Sequence, residues 1–212
     1  MPDFFHTLRE IVRSRNPGWD LQLWDDEKVE GLGLPAPFKQ LYDALSPVMQ
    51  SDFLRYYLLY RFGGWYLDVD VESLRGFDEL GQPAGCIMGW EHENSIGSAV
   101  LAAVPGHPLM YLLADTIGGS ILQNQHLGIM HQSGPAFLTR TVSRAPEDLV
   151  RSIWIAHPEV FYPCRPADKP NLDAVRQKAI LSGQSFTIHH WTGTWRAPED
   201  PWRTPDSELT TH

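Results

Sequence analysis

Asp68 and Asp70, in the run Trp65-Tyr66-Leu67-Asp68-Val69-Asp70-Val71-Glu72, are the residues whose type and spacing point most directly to chemistry. In an extended strand successive side chains take opposite faces. The spacing therefore predicts Trp65, Leu67, Val69 and Val71 on a buried face, and Tyr66, Asp68, Asp70 and Glu72 on the other. At about 3.3 Å per residue, the Cα atoms of the two aspartates lie about 6.6 Å apart, close enough for both carboxylates to reach one cation. Like charges that close repel, and a hard divalent ion relieves the repulsion. Oxygen donors favour Mg2+ or Mn2+ over softer metals. A D-x-D tripeptide is common by chance, and an amphipathic edge strand with a solvated acidic face would look the same. Context favours a site. The acids follow Gly63-Gly64 at the end of an apolar strand, and ligands of open α/β sheets gather beyond the strands' carboxyl ends.

Asp52 and Arg55 stand three apart and share one face if their segment is helical. Such a pair is either a surface ion pair worth well under about 1 kcal/mol, or a grip on the hydroxyls of a sugar, Asp52 accepting and Arg55 donating. Spacing leaves both open. His189 and His190 follow Phe186-Thr187-Ile188, so they point to opposite faces at a strand end. Either could complete a metal shell, since imidazole suits Mn2+ tolerably. Trp191 reads as core, and Trp195, in a Gly-Thr loop, as a lid. Glu91 and Asn94 follow another strand and could face a ligand or lie in a plain loop.

These residues need elements to hold them. Phe4, Phe5, Leu8, Ile11 and Val12 recur at helical spacing until Asn16-Pro17-Gly18. Trp19–Leu23 alternates as a short strand, and residues 30–37 read as a loop. Ser46 is an N-cap candidate with Pro47 at the first helical position. Gly63-Gly64 closes that helix, and Phe53, Leu54, Leu58 and Phe62 form its apolar stripe. A strand is expected from Trp65 to Glu72, with others at Cys86–Trp90, Ile153–Ala156, Val160–Tyr162 and Phe186–Trp191. Helices near 107–117 and 135–144 separate them. Strands alternating with helices predict an α/β fold with a mainly parallel or mixed sheet. One domain over residues 1–195 is expected, followed by a loosely packed polar tail over 196–212 that is rich in Pro, acids and Thr.

With 212 residues and a net charge of −9, the chain does not carry a broad nucleic-acid footprint. An acidic protein that binds a polyanion needs a cation to hold it. No apolar run approaches the roughly 18 residues of a membrane span. The start, MPDFFHTLRE, lacks the basic and apolar stretches of a secretory signal. Cys86 and Cys164 form no spaced pattern, which suits a reducing compartment. The expectation is a cytoplasmic protein, with a peripheral place at a membrane left open.

The block S-D-x-L-R-Y-x-x-L-Y-x-x-G-G-x-Y-x-D-x-D-V-E, Ser51 to Glu72, resembles the signature of the DXD-motif glycosyltransferases. That family includes yeast-type initiating mannosyltransferases and bacterial capsule and lipooligosaccharide sugar transferases. Weaker echoes are Asn16-Pro17, Leu23-Trp24-Asp25, Gly106-His107-Pro108, Ser133-Gly134-Pro135 and Ile188-His189-His190-Trp191. The resemblance implies a GT-A, Rossmann-like nucleotide-sugar fold. It further implies a UDP- or GDP-linked donor, a glycan or lipid-linked acceptor, and transfer of a hexose with retention. Asp68 and Asp70 would act through Mn2+ or Mg2+, with His189 as the third ligand. His190, with His-x-x-Gly spacing to Gly193, is the alternative. Asp52, Arg55, Tyr66 and Trp195 would line the donor-sugar pocket.

Family members usually open with an apolar strand ahead of the first helix, whereas this sequence begins at the helix. Either the start lies upstream or the strand is absent, and a truncated, non-catalytic sugar-nucleotide or glycan-binding module is the second reading. Leu67-Asp68-Val69-Asp70-Val71 also fits the D-x-D-x-[TV] strand of haloacid-dehalogenase-type phosphatases. That class wants the motif near its start and a late acidic pair, whereas more than sixty residues precede Asp68 and the only adjacent Asp-Asp is Asp25-Asp26.

Overall fold

Phe5, Leu8 and Val12, three and four apart, bury one stripe of the first helix, α1 (Asp3–Arg15). A computed structural model describes residues 2–81, 84–196, 199–200 and 203–210. The α1 helix stops at Asn16, whose Nδ2 donates to the Val12 carbonyl at 2.8 Å while its Oδ1 accepts from the Phe77 amide at 2.8 Å. One side chain thus ends the helix and ties it to a 3-10 turn over Phe77–Leu80. The strand expected over Trp19–Leu23 has no ladder partner among the described residues. Helices α2 (Asp26–Gly31), capped by Asp25, and α3 (Ala36–Ala44) flank the short loop that remains of the one expected at 30–37.

Helix α4 (Pro47–Phe62) has Pro47 in its first turn and ends on Gly63 at φ +66°, where a Cβ would lie 2.5 Å from the Pro105 ring. Every residue from Asp52 to Leu59 is buried, so α4 is a central helix packed all round. Its expected stripe is too narrow by Tyr56, Tyr57 and Leu59, and Phe62 is 52% exposed. The charged pair Asp52–Arg55 is therefore inside the protein.

The expected strand at 65–72 is two strands. β1 (Gly64–Leu67) and β2 (Val71–Ser73) belong to different sheets, and Asp68-Val69-Asp70 is the turn between them. The predicted face alternation fails there: Val69 is 50% exposed while Asp70 and Glu72 are buried. Partners on the returning chain outweigh the pattern. Asp70 finds His189 and Thr192, and Glu72 finds Arg176 and His190.

The chain continues through β3 (Cys86–His92), β4 (Ser95–Ala103), α5 (Pro108–Gln123), α6 (Ile129–Gln132), α7 (Pro135–Ser143), α8 (Glu147–Val150) and β5 (Ile153–Ala156). It closes through α9 (Pro158–Phe161), a 3-10 turn (Pro166–Asn171), α10 (Leu172–Ser182) and β6 (Thr187–His189). The main sheet has the order β1-β4-β3-β5, antiparallel except for the parallel β3–β5 pair. A second sheet pairs β2 with β6. Val160–Tyr162, expected as a strand, lies mostly in α9. Its Tyr162 ring fills the space a Cβ at Gly97 would need, 2.4 Å away, and Tyr162 Oη accepts from the Val100 amide at 2.9 Å.

Core residues of α4, α5 and α7 cover one face of the main sheet. Trp65, Phe77, Phe161 and Tyr162 cover the other. The described residues of 196–212, a stretch expected as a loosely packed tail, return to the body: the Leu209 carbonyl accepts from Phe4, the Thr204 amide donates to Thr192, and Leu209 is buried. Positions 197, 198, 201, 202, 211 and 212 of that stretch lie outside the described residues. Among the described residues no helix is long and apolar enough to cross a membrane.

Candidate functional site

A cavity of about 1410 Å³ opens between α1, the 19–26 segment, α4, the Asp68–Asp70 turn and the loop after β6. On its wall, Asp68, Asp70 and His189 each offer one ligand atom, all within 4.8 Å of one another. The trio comes from two places in the chain brought together by one ladder. Val71 pairs with His189 in β2–β6, and the His190 amide donates to the Asp70 carbonyl at 3.0 Å. Asp68 sits where the chain leaves the main sheet, its amide bonded to the Ala99 carbonyl at 2.9 Å.

Each carboxylate is aimed by other groups. Asp70 Oδ2 accepts from the Thr192 amide at 2.9 Å and from the Thr192 hydroxyl at 2.8 Å, leaving Oδ1 3.2 Å from His189 Nε2. Burial alone would raise the Asp70 carboxyl. The positive charge and hydrogen bond of His189, with the two Thr192 bonds, outweigh it and hold the group well below the usual carboxylate range. His189 answers in kind: burial disfavours its charged form, yet Asp70, Asp68 and Glu91 raise its affinity for a proton. Its Nδ1 is buried without a partner, and the Trp191 ring packs 3.9 Å from its centroid. Asp68 is half-buried. Its Oδ1 accepts from Tyr66 Oη at 2.9 Å and lies 3.5 Å from Arg55 Nη2.

Asp52 and Arg55 form a closed bracket behind this turn. Asp52 Oδ1 accepts from Arg55 Nη2 at 2.7 Å and Oδ2 from Ser133 Oγ at 2.6 Å. Arg55 Nη1 donates to the Ser98 carbonyl at 2.6 Å, and the guanidinium lies over the Tyr66 ring. Both side chains are buried, so the surface-pair reading of this spacing does not hold. Ser133 and Ser98 complete the bracket; Ser133 opens the Ser133-Gly134-Pro135 echo, while nothing in the spacing of Ser98 singles it out.

The two histidines separate as their strand dictates. His189 faces Asp70, whereas His190 Nε2 lies 3.1 Å from Glu72 Oε2 with the Phe4 ring against it. Arg176 grips the same Glu72 carboxylate through Nε and Nη2. His190 thus belongs to a structural network behind the turn. Trp191 donates Nε1 to the Cys164 carbonyl and packs into the core. Trp195 is 45% exposed at the cavity rim, with Arg196 over its ring.

Residues 2–94 match the family described as glycosyltransferase sugar-binding region containing DXD motif. This region belongs to the DXD-motif glycosyltransferase family. Among curated relatives, inositol phosphoceramide mannosyltransferase 3 of Schizosaccharomyces pombe is 30% identical over 191 residues, covering 83% of this chain and 52% of the relative. Inositol phosphoceramide mannosyltransferase 1 of the same yeast is 30% identical over 122 residues, 52% of this chain and 37% of the relative. The chain thus spans about half the length or less of these relatives. Among solved structures, the PaToxG glycosyltransferase superposes with a TM-score of 0.53 at 15% identity, covering 85% of this chain and 73% of that one. The fold is accordingly the GT-A type of α/β architecture.

Within the DXD region and its His189 partner, the donor set suits a hard or borderline divalent ion: two carboxylates, one held ionised, and an imidazole. An ion bound there would supply positive charge at the cavity wall. The thiols play no part. Burial pushes Cys86 up to about 12 and Cys164 up to about 11.

Proposed function

We propose that this chain is a metal-dependent glycosyltransferase that moves a hexose from a UDP- or GDP-linked donor to a glycan or lipid-linked acceptor, with retention of anomeric configuration. The observation that carries this reading is the convergence of Asp68, Asp70 and His189 on the wall of a large cavity, the two aspartates lying within residues 2–94 that match the sugar-binding family. In this proposal Asp68, Asp70 and His189 hold Mn2+ or Mg2+. Thr192 keeps one Asp70 oxygen occupied so that the other is presented, and Tyr66 and Arg55 do the same for Asp68.

The donor sugar would lie against Tyr66, with Asp52 and Arg55 shaping the floor beneath it and Trp195 closing over the rim. Because each Asp52 oxygen already accepts a hydrogen bond, that pair would act chiefly by fixing the pocket's shape. The relatives' names make mannose the first sugar to test and inositol phosphoceramide the first acceptor. A lipid-linked acceptor would place the enzyme at a membrane periphery. We take residues 1–195 as the catalytic unit, with the described residues of the 196–212 segment packed on it.

The test is release of nucleoside diphosphate from GDP-mannose and UDP-glucose, with and without Mn2+. Metal-dependent release from one donor is expected, and the product's anomeric configuration by NMR reads retention. Mn2+-dependent binding of a donor with no release or transfer would instead favour the binding-module reading.

A further inference from the structure

Glu91 is a buried carboxyl that the mechanism above does not use. It stands near the end of β3, beside the irregularity between Trp90 and His92, with 7% exposure, and it lines the same cavity as Asp68, Asp70 and His189. Its Oε1 accepts from Ser95 Oγ at 2.7 Å across the β3–β4 hairpin, and His92 Nε2 stands 3.7 Å from the same oxygen. Oε2 receives no hydrogen bond from any described residue, and the side chain that carries it lines the cavity.

Glu91 also lies outside the trio whose donor atoms converge, so a cation held there leaves it unused. One anchored oxygen and one bare oxygen make a carboxyl that is already oriented to accept a hydrogen bond from a ligand. Asp52 differs in this respect, since both of its oxygens are taken.

The chemistry of the partner follows from charge. A diphosphate brings only acceptors and negative charge, which a carboxylate repels. A sugar hydroxyl brings a donor and no charge. Burial raises the Glu91 carboxyl from the usual range, the Ser95 bond opposing it in part, and this also suits a neutral partner. We infer that Glu91 binds a hydroxyl of the transferred hexose through Oε2, while Ser95 holds its side chain in place. This inference rests on the nucleotide-sugar reading above.

The experiment measures, by calorimetry at saturating Mn2+, the affinities of GDP-mannose and GDP for the wild type, Glu91→Ala and Glu91→Gln, with the UDP-glucose and UDP pair alongside. Glu91→Ala should weaken the sugar nucleotide by about tenfold or more, as for a hydrogen bond to a charged group, while the free diphosphate changes less than about twofold. Glu91→Gln keeps the shape and one acceptor oxygen, and should fall between. A merely structural role would shift both ligands together, leaving their ratio unchanged, and that result overturns the inference. If the alanine variant does not fold, the ratio for Glu91→Gln decides in the same way. Wild-type protein that binds neither pair would overturn the nucleotide-sugar reading itself and the inference with it.

Discussion

Val71 and His189 are direct partners in the β2–β6 ladder, and this single register brings the Asp68–Asp70 turn to the residues that face it. Thr192, three positions beyond His189, binds Asp70 through both its amide and its hydroxyl. Removing the Asp70 side chain therefore has two consequences. Asp70→Asn should abolish Mn2+-dependent donor turnover and lower Mn2+ affinity, both read by calorimetry and product release, with the fold retained. Asp70→Ala should in addition lower stability by about 1–3 kcal/mol, because a buried amide, a hydroxyl and His189 lose their acceptor. Unchanged turnover in the asparagine variant would remove Asp70 from the mechanism.

Arg55 neutralises a buried Asp52 and approaches Asp68 at 3.5 Å. Breaking a buried pair by removing one partner leaves an uncompensated charge. Arg55→Ala should cost about 3–5 kcal/mol in denaturant unfolding. Arg55→Lys, which keeps the charge without the planar fork, should recover part of the stability and little of the activity. A loss below about 1 kcal/mol for the alanine variant would mean that water reaches the pair and that the bracket is not closed.

The elements that could be read from the sequence are those with clear local signals. Helix α4 has Pro47 at its start and Gly63 at its end, and β3 and β5 are short apolar runs. The inner strand β4, paired with β1 and β3, was not legible. Ser95-Ile96-Gly97-Ser98-Ala99 shows no alternation because all of its residues are buried, and its small side chains are there to admit the Tyr162 ring. The aspartates were legible as a pair, but the strand that was to carry them was not continuous. The spacing rule assumed one sheet, and only long-range pairing with β6 reveals that the chain changes sheets between Asp68 and Val71. Of the residues that aim the site, Thr192 and Ser98 are common types at unremarkable spacings that nothing local marks, and Ser133 shows only as the start of the Ser133-Gly134-Pro135 echo.

Gly97 offers a test of that central strand away from the metal trio. A Cβ there would meet the Tyr162 ring at 2.4 Å and its hydroxyl at 2.6 Å, and that ring is buried with its hydroxyl held by the Val100 amide. Gly97→Ala should destabilise the protein by about 1–3 kcal/mol through overpacking, seen as a lower melting temperature. A melting temperature equal to the wild type's would show that the ring can swing out of the core.

His107 caps α5, its Nδ1 accepting from the Leu109 amide at 3.3 Å while Nε2 lies 3.0 Å from Ser152 Oγ. Burial lowers its pKa from the ordinary 6.5. The unfolded chain then binds this proton more readily than the folded one, so the contribution is complete above that value and falls as pH drops through and below it. Unfolding at about pH 7.5 and about pH 5.5 should show a smaller loss of stability on acidification for His107→Asn than for the wild type. An identical loss in both would mean that the imidazole is protonated in the folded protein as easily as in the unfolded one.

His189 and His190 are adjacent, chemically identical, and separated only by the face of the strand each occupies. Nε2 of His189 looks across 3.2 Å to Asp70 within the trio, whereas Nε2 of His190 looks across 3.1 Å to Glu72, where Arg176 shares the carboxylate. Substitution should split them by readout. His189→Ala should lower Mn2+ affinity and donor turnover by about tenfold or more, a supporting ligand's usual weight. His190→Ala should leave Mn2+ affinity within about twofold and instead lower the unfolding free energy by about 1–2 kcal/mol, the value of a lost partly buried hydrogen bond to a carboxylate. The pair of variants decides between faces as no single one can. If His190→Ala were the variant that lost the metal, the β2–β6 register that sets Val71 opposite His189 would have to slip by one residue, since a one-residue slip exchanges the two faces of a strand.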